Sequence, residues 1–243
     1  MCEFCHKHGE GKTWYLRAEN YSQDLLSDLR RRAFIQEFIP MAATLESKLP
    51  ELREKMEQMD RMPGFVRKVL VHRAVAKQKR DHYGQVLPLE DVEKIFDFVT
   101  SIVRLPCVCR KATTRSEQRY CYGISLAPDG GKLREIFEKA GGEYLLGPDT
   151  QGFETLSREE ALAAFRDHER EGCCHTVWTF VTPFIGGICN CDTADCLALR
   201  CTIRHRLPMV FRAEFVAEVN PDLCRGCRQC LRQCQFGALG YSA

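Results

Sequence analysis

The sequence predicts an α+β protein, and three observations carry that prediction. Apolar residues recur at helical intervals through much of the first hundred positions. Farther on, capped helices alternate with β-branched and aromatic runs. Cysteines, absent from residues 6 to 106, crowd the remainder. The expected organisation is a mostly helical region at 1–106, a mixed α/β region at 107–185 and a cysteine-rich region at 186–243. A chain of 243 residues can bury a core as one large domain or two smaller ones.

The elements follow in order. From Ser22 to Ile39 the positions Leu25, Leu26, Leu29, Ala33 and Phe38 define a helix that Pro40 stops or kinks. Leu45, Leu49, Leu52, Met56 and Met59 form a second stripe, read as core, that runs to the break at Pro63-Gly64; Pro50 suits its first turn. A third helix is expected from Leu89 to Arg104, through Val92, Ile95, Phe96, Val99, Ile102 and Val103, ending before Pro106. Leu133 to Ala140 is a short helix with Gly141-Gly142 as its stop. Ser157-x-x-Glu160 is a capping box opening a helix through Ala161, Leu162 and Phe165, which Gly172 closes. His175 to Thr182 and Met209 to Val219 read as strands, while the pairs Gly130-Gly131 and Gly186-Gly187 suit turns.

Composition narrows the function. No apolar stretch is long enough for a membrane-spanning helix, and Glu3 and His6 stand where an export signal needs an apolar run, so a cytoplasmic protein is expected. Fifteen cysteines cannot all pair internally, and in a reducing compartment clustered thiols are metal ligands. The net charge is only +2, yet Arg61 to Arg80 holds seven Lys or Arg and no acid. That segment lacks a helix-turn-helix signature and interleaved stacking aromatics, which argues against nucleic acid and for a solvated helix face. Neither a phosphate-binding glycine loop nor a nucleophile–base constellation is present, so an electron carrier is favoured over a self-contained enzyme.

The most specific motif is Cys224-x2-Cys227-x2-Cys230-x3-Cys234. A cubane needs four thiolates pointing inward, and a tightly looped chain at this spacing supplies three of them to one cluster. Over the last thirty residues the chain resembles the ferredoxin-like [4Fe–4S] family. The resemblance implies a strand over Phe215 to Asn220, a return strand from Phe236 to Leu239 and a ferredoxin-like cluster domain. Gln235 departs from the family, which usually has proline after the fourth cysteine; no ligand is lost by this.

In two-cluster members of that family the fourth cysteine ligates the other cluster, so Cys234 implies a second site. Cys189-x-Cys191-x4-Cys196-x4-Cys201 supplies the thiols. The resemblance then implies one cluster on Cys189, Cys191, Cys196 and Cys234 and another on Cys224, Cys227, Cys230 and Cys201. A single cluster beside a separate zinc site is the alternative. Cys107, Cys109 and Cys121, completed by Cys173, Cys174 or His175, are candidates for a third metal, iron–sulfur or zinc. Cys2-x-x-Cys5-His6 spells a haem-attachment pattern, which the lack of an export signal argues against. A metal site on Cys2, Cys5 and His8, a redox pair or unligated thiols are the other readings.

The expected function is an iron–sulfur electron-transfer protein or subunit serving an oxidoreductase partner. Arg225, Arg228 and Arg232 would raise the cluster potential and dock a redox protein that is acidic at its contact surface. Two alternatives are an iron–sulfur enzyme with an open-site cluster and a redox- or metal-sensing regulator.

Overall fold

The computed structural model describes residues 13–241. Helices α1 (Leu29–Ala43), α2 (Leu45–Asp60) and α3 (Gly64–Asp81) come first. Then β1 (Gly84–Leu87), α4 (Leu89–Phe98), β2 (Ser101–Leu105), α5 (Val108–Thr114), β3 (Cys121–Ser125), α6 (Gly131–Leu146), β4 (Glu154–Leu156) and α7 (Arg158–Arg170) alternate. They are followed by β5 (Cys174–Thr179), β6 (Ile185–Cys191), α8 (Leu197–Arg204), β7 (Val210–Phe211) and α9 (Gln229–Gln233). The α+β class is therefore observed, with N-terminal helices and a mixed α/β middle.

The strands form one seven-stranded sheet in the order β4-β2-β3-β6-β5-β1-β7, and strands from either side of residues 106 and 186 share it. All neighbours are antiparallel except β1 and β7. Side chains alternate between its two faces. One face, with Leu87, Ile102, Tyr122, Ile124, Val177 and Ile188, packs on Val92, Ile95 and Phe96 of α4 and on Ala161, Leu162 and Phe165 of α7. The 13–21 segment joins this core through Trp14, Tyr15 and Tyr21. Burying several such aromatics at about 25 cal/mol per Å² makes this face the main apolar contribution to stability. The opposite face carries Val103, Leu105, Cys121, Cys189, Thr176 and Trp178. Gly84 belongs here because a β-carbon at that position would lie 2.7 Å from the Trp178 ring.

Several local expectations change. Helix α1 starts at Leu29, where Asp28 accepts hydrogen bonds from the amides of Arg30 and Arg31 (2.8 and 3.2 Å), and it passes through Pro40 to Ala43. Leu25 and Leu26 lie instead in a 3₁₀ turn, Gln23–Ser27. Pro50 is interior to α2, because that helix begins at Leu45. The third helix stops at Phe98, and Ile102 and Val103 belong to β2. Gly142 does not stop α6; it adopts φ 44° inside a helix that resumes to Leu146. The capping box is formed as expected, with the Glu160 amide donating to Ser157 Oγ at 3.2 Å and the Ser157 amide to Glu160 Oε2 at 2.8 Å.

Gly186-Gly187 is no turn but part of β6. Of the strand expected over Met209 to Val219 only Val210–Phe211 forms, and neither Phe215–Asn220 nor Phe236–Leu239 is a strand. The C-terminal run is an irregular loop around the short α9. Its side chains face mostly water and have little apolar contact to hold a ladder in register.

Candidate metal centre

Strand β6 places Cys189 and Cys191 on one face, because alternate residues of a strand point the same way. Register then brings in a third thiol, since Cys121 of β3 lies directly opposite Cys189. The two sulfurs are 3.2 Å apart. Cys107 and Cys196 sit immediately before α5 and α8, and Cys109 lies in the first turn of α5. Cys107 adjoins Cys121, and Cys109 adjoins Cys196. Cys196 in turn donates to Cys191 at 3.2 Å. Six thiols therefore meet in two linked files, Cys107–Cys121–Cys189 and Cys109–Cys196–Cys191.

Burial and mutual repulsion disfavour the charged forms of these thiols. Cys107 and Cys109 stand well above the ordinary thiol range because each donates to a neighbouring sulfur and is buried. At Cys189 the Cys121 contact lowers the value, but burial and adjacent sulfurs outweigh it and push it up to about 12. Cys191 reaches about 11 by the same balance, with Cys196 as the lowering contact. Amides at the start of α8, those of Leu197 and Ala198 for Cys109 and that of Leu199 for Cys196, pull the other way without reversing the shift.

Arg110 fixes this arrangement. Its buried guanidinium pairs with Asp192 and lies 3.4 Å from Asp195, so it clamps the loop between Cys191 and Cys196 onto the helix that carries Cys109. It also stacks 3.5 Å from the Tyr120 ring centroid and reaches Cys173 Sγ at 3.7 Å. Thr176 Oγ1 adds a contact to Cys191 Sγ at 3.4 Å and accepts from Trp178 Nε1 at 2.9 Å. Motif spacing did not single out Arg110 or Thr176. The available signal was the position of Arg110 immediately after Cys107-x-Cys109.

Beside the thiols lies a cavity of about 420 Å³. Leu45, Leu49, Leu52 and Met56 of α2 line it, so the stripe read as core borders a cavity, with Leu49 buried and Leu52 exposed. The end of α2 is clasped to α8 by His205, whose Nδ1 lies 2.7 Å from Asp60 Oδ2. Cys201 is half-buried on α8 and also lines the cavity.

The remaining expected residues stand outside these two files, with Cys174 adjoining them on the same sheet face. His175 points to the opposite sheet face, where its ring lies 5.2 Å from Phe165 and Nδ1 bonds Asn190 Oδ1 at 2.6 Å; burial lowers its pKa. Cys174 lies opposite Cys191 in the ladder, and burial pushes its thiol up to about 12. Cys173 is held by Arg110, and burial raises it to about 11. Cys2, Cys5, His6 and His8 lie outside the described residues. Among the described residues, no three or more His, Cys, Asp or Glu side chains are arranged as a ready site for a single metal ion.

Cys224, Cys227 and Cys230 are exposed. Cys234 turns its sulfur toward the amides of residues 236–239, with Ala238 N at 3.4 Å, and these donors lower its pKa below the ordinary thiol value. This nest of amide donors suits a metal-bound thiolate, and the run fits a [4Fe–4S] cluster by type, with Cys224, Cys227 and Cys230 at the spacing that serves one cluster. The segment is anchored by Gln235, at the position where ferredoxins carry proline. Its Nε2 donates to Gly172 O (2.9 Å) and Cys191 O (3.2 Å), and its Oε1 accepts from the Thr193 amide. Gly172 is required there: its φ is 87°, and a β-carbon would lie 3.0 Å from Gln233 O. Cys234 is thus one residue from a bridge to the backbone of β6, while Cys189, Cys191 and Cys196 meet Cys107, Cys109 and Cys121.

Residues 216–239, which contain Cys224, Cys227, Cys230 and Cys234, match the family of 4Fe-4S binding domains. The C-terminal segment is thus an iron–sulfur binding region. No curated protein and no solved structure matches the chain. No helix among the described residues is long and apolar enough to cross a membrane.

Proposed function

We propose that the chain is an iron–sulfur electron-transfer protein, or the electron-transfer subunit of an oxidoreductase complex. The observation that carries this reading is the 4Fe-4S match over 216–239, on a segment whose first three cysteines are exposed. When bound there, a [4Fe–4S] cluster supplies a one-electron couple near the surface. The residues around it bind and orient: the amides after Cys234 favour a thiolate, and Gln235 fixes the segment against β6. Arg225 and Arg232, with Arg228 stacked 4.0 Å from the Tyr241 ring centroid, give this surface a positive charge suited to an acidic redox partner. Dithionite reduction of anaerobically purified protein, followed by stepwise addition of an oxidised viologen dye, tests the proposal. It predicts a reversible EPR signal that disappears as the dye is reduced; no signal in iron-loaded protein would contradict it.

The cavity beside the six thiols favours one second reading, an iron–sulfur enzyme that binds a small apolar substrate. Line-broadening of the reduced-state EPR signal by a candidate ligand would favour that reading over a pure carrier.

A further inference from the structure

We propose that Cys107, Cys109, Cys121, Cys189, Cys191 and Cys196 form a second iron–sulfur centre, its ligands drawn wholly from the sheet and the starts of α5 and α8. The site goes beyond the C-terminal cluster and does not use Cys234. Only the choice of iron over zinc rests on the iron–sulfur reading of residues 216–239.

Two independent observations point to a bound group. The first is convergence: thiols from four separate stretches of the chain meet beside one sheet face, joined across 68 residues in the Cys121–Cys189 pair. Buried polar clusters of this kind are held in protein interiors when something satisfies them. The second is room. Interiors pack to crystal-like density, yet a space of about 420 Å³ adjoins the sulfurs.

Thiol number and room select the class of group. Sulfur pairs 3.2 Å apart are closer than the roughly 3.8 Å edge of a tetrahedron with Zn–S bonds of about 2.3 Å, and thiolates on different irons of a cluster stand farther apart still. The thiols are packed against one another rather than around a point, consistent with the lack of a ready single-ion site among the described residues. To bind metal they must move apart, and the cavity is where they can move. Six thiols exceed the four of a structural zinc site, and such sites are closed rather than bordered by a large space. A polynuclear cluster, whose ligands sit on different iron atoms, fits both the number and the room.

The site also has a connection. Gln235 joins the residue after Cys234 to the carbonyl of Cys191, so one hydrogen bond and one side chain link the two cysteine groups. Arg110 is a positioning residue here, its guanidinium holding the 192–195 loop to the α5 helix.

Two full-length chains test the proposal after anaerobic reconstitution with iron and sulfide. In one, Cys224, Cys227, Cys230 and Cys234 are all replaced by Ser. This chain should keep about four iron and four acid-labile sulfide and a thiolate-to-iron absorption band. In the other, C121S and C191S are made with the C-terminal run intact; it should lose that share and keep the C-terminal one. If the first chain is folded by circular dichroism but holds no iron, holds zinc without sulfide, or holds only disulfides, the proposal is overturned. Loss of iron from the second chain alone, down to zero, would instead overturn the C-terminal reading. Should C121S/C191S fail to fold, the single variants C109S and C189S in the first chain give the same readout. C173S serves as a control thiol outside the set and should leave the iron unchanged.

Discussion

The two cysteine groups of this protein are built in opposite ways. The core group owes its position to the register of β3, β5 and β6, to two helix starts and to the buried Arg110 clamp. The C-terminal group owes little to the fold: three of its four cysteines are exposed, its expected strands do not form, and Gln233 and Gln235 are its main polar ties to the body. Apolar residues such as Val216, 93% exposed, lie uncovered in it. A core site is held in place by the fold around it, whereas a surface site of this kind is ordered by its ligand. The exposed group suits exchange with a partner, and the buried one is shielded from it.

Removing metal should separate the two groups most clearly. Chelation is expected to increase trypsin cleavage after Arg225, Arg228 and Arg232 by more than about tenfold, with little cleavage in the sheet; mass spectrometry of the fragments reads this directly. Equal cleavage in both regions would erase the contrast. The next largest effect falls on the core clamp. R110Q leaves Asp192 without its partner and should destabilise the fold by about 2–4 kcal/mol in a urea titration, less than a fully buried pair because Asp192 is partly exposed.

Q235A sharpens the comparison from the other side. It removes the ties to Gly172, Cys191 and Thr193 and should cost about 1–2 kcal/mol locally. Hydrogen exchange should quicken over 229–241 while the sheet amides stay protected. His82 provides a pH test of the core alone. Burial lowers its pKa from 6.5 to about 4, against an opposing bond to Thr179. Below pH 6.5 the unfolded chain takes up a proton that the folded chain refuses, so this contribution to stability is full above 6.5 and falls as pH drops toward 4. Thermal melts between pH 7.5 and 5 should show that decline, flattened in H82Q. The smallest effect is electrostatic: replacing Arg225, Arg228 and Arg232 with Gln should lower the C-terminal potential on the order of tens of millivolts, since solvent screens exposed charges. A redox titration at low salt measures it.

Local features were legible in the sequence where local chemistry decides them. The Ser157–Glu160 capping box and the C-terminal cysteine spacing are of this kind. Ile102 and Val103 misled because they continue a helical spacing while forming part of a buried strand, and short apolar runs satisfy both periodicities. Gly186-Gly187 looked like a turn, yet small residues there let Phe180 pack against the strand, where a β-carbon on Gly186 would lie 2.9 Å from its ring. The meeting of Cys121 with Cys189, and of Cys109 with Cys196, depends on strand order and register, which no spacing between neighbouring cysteines reveals. Gln235 was visible only as a missing proline; its role as an anchor needed the position of β6.

The central claim is that the chain carries two iron–sulfur centres of contrasting construction. Iron and acid-labile sulfide counts on anaerobically purified full-length protein test it most directly. The account predicts about eight of each per chain; about four of each, or iron without sulfide, would contradict it.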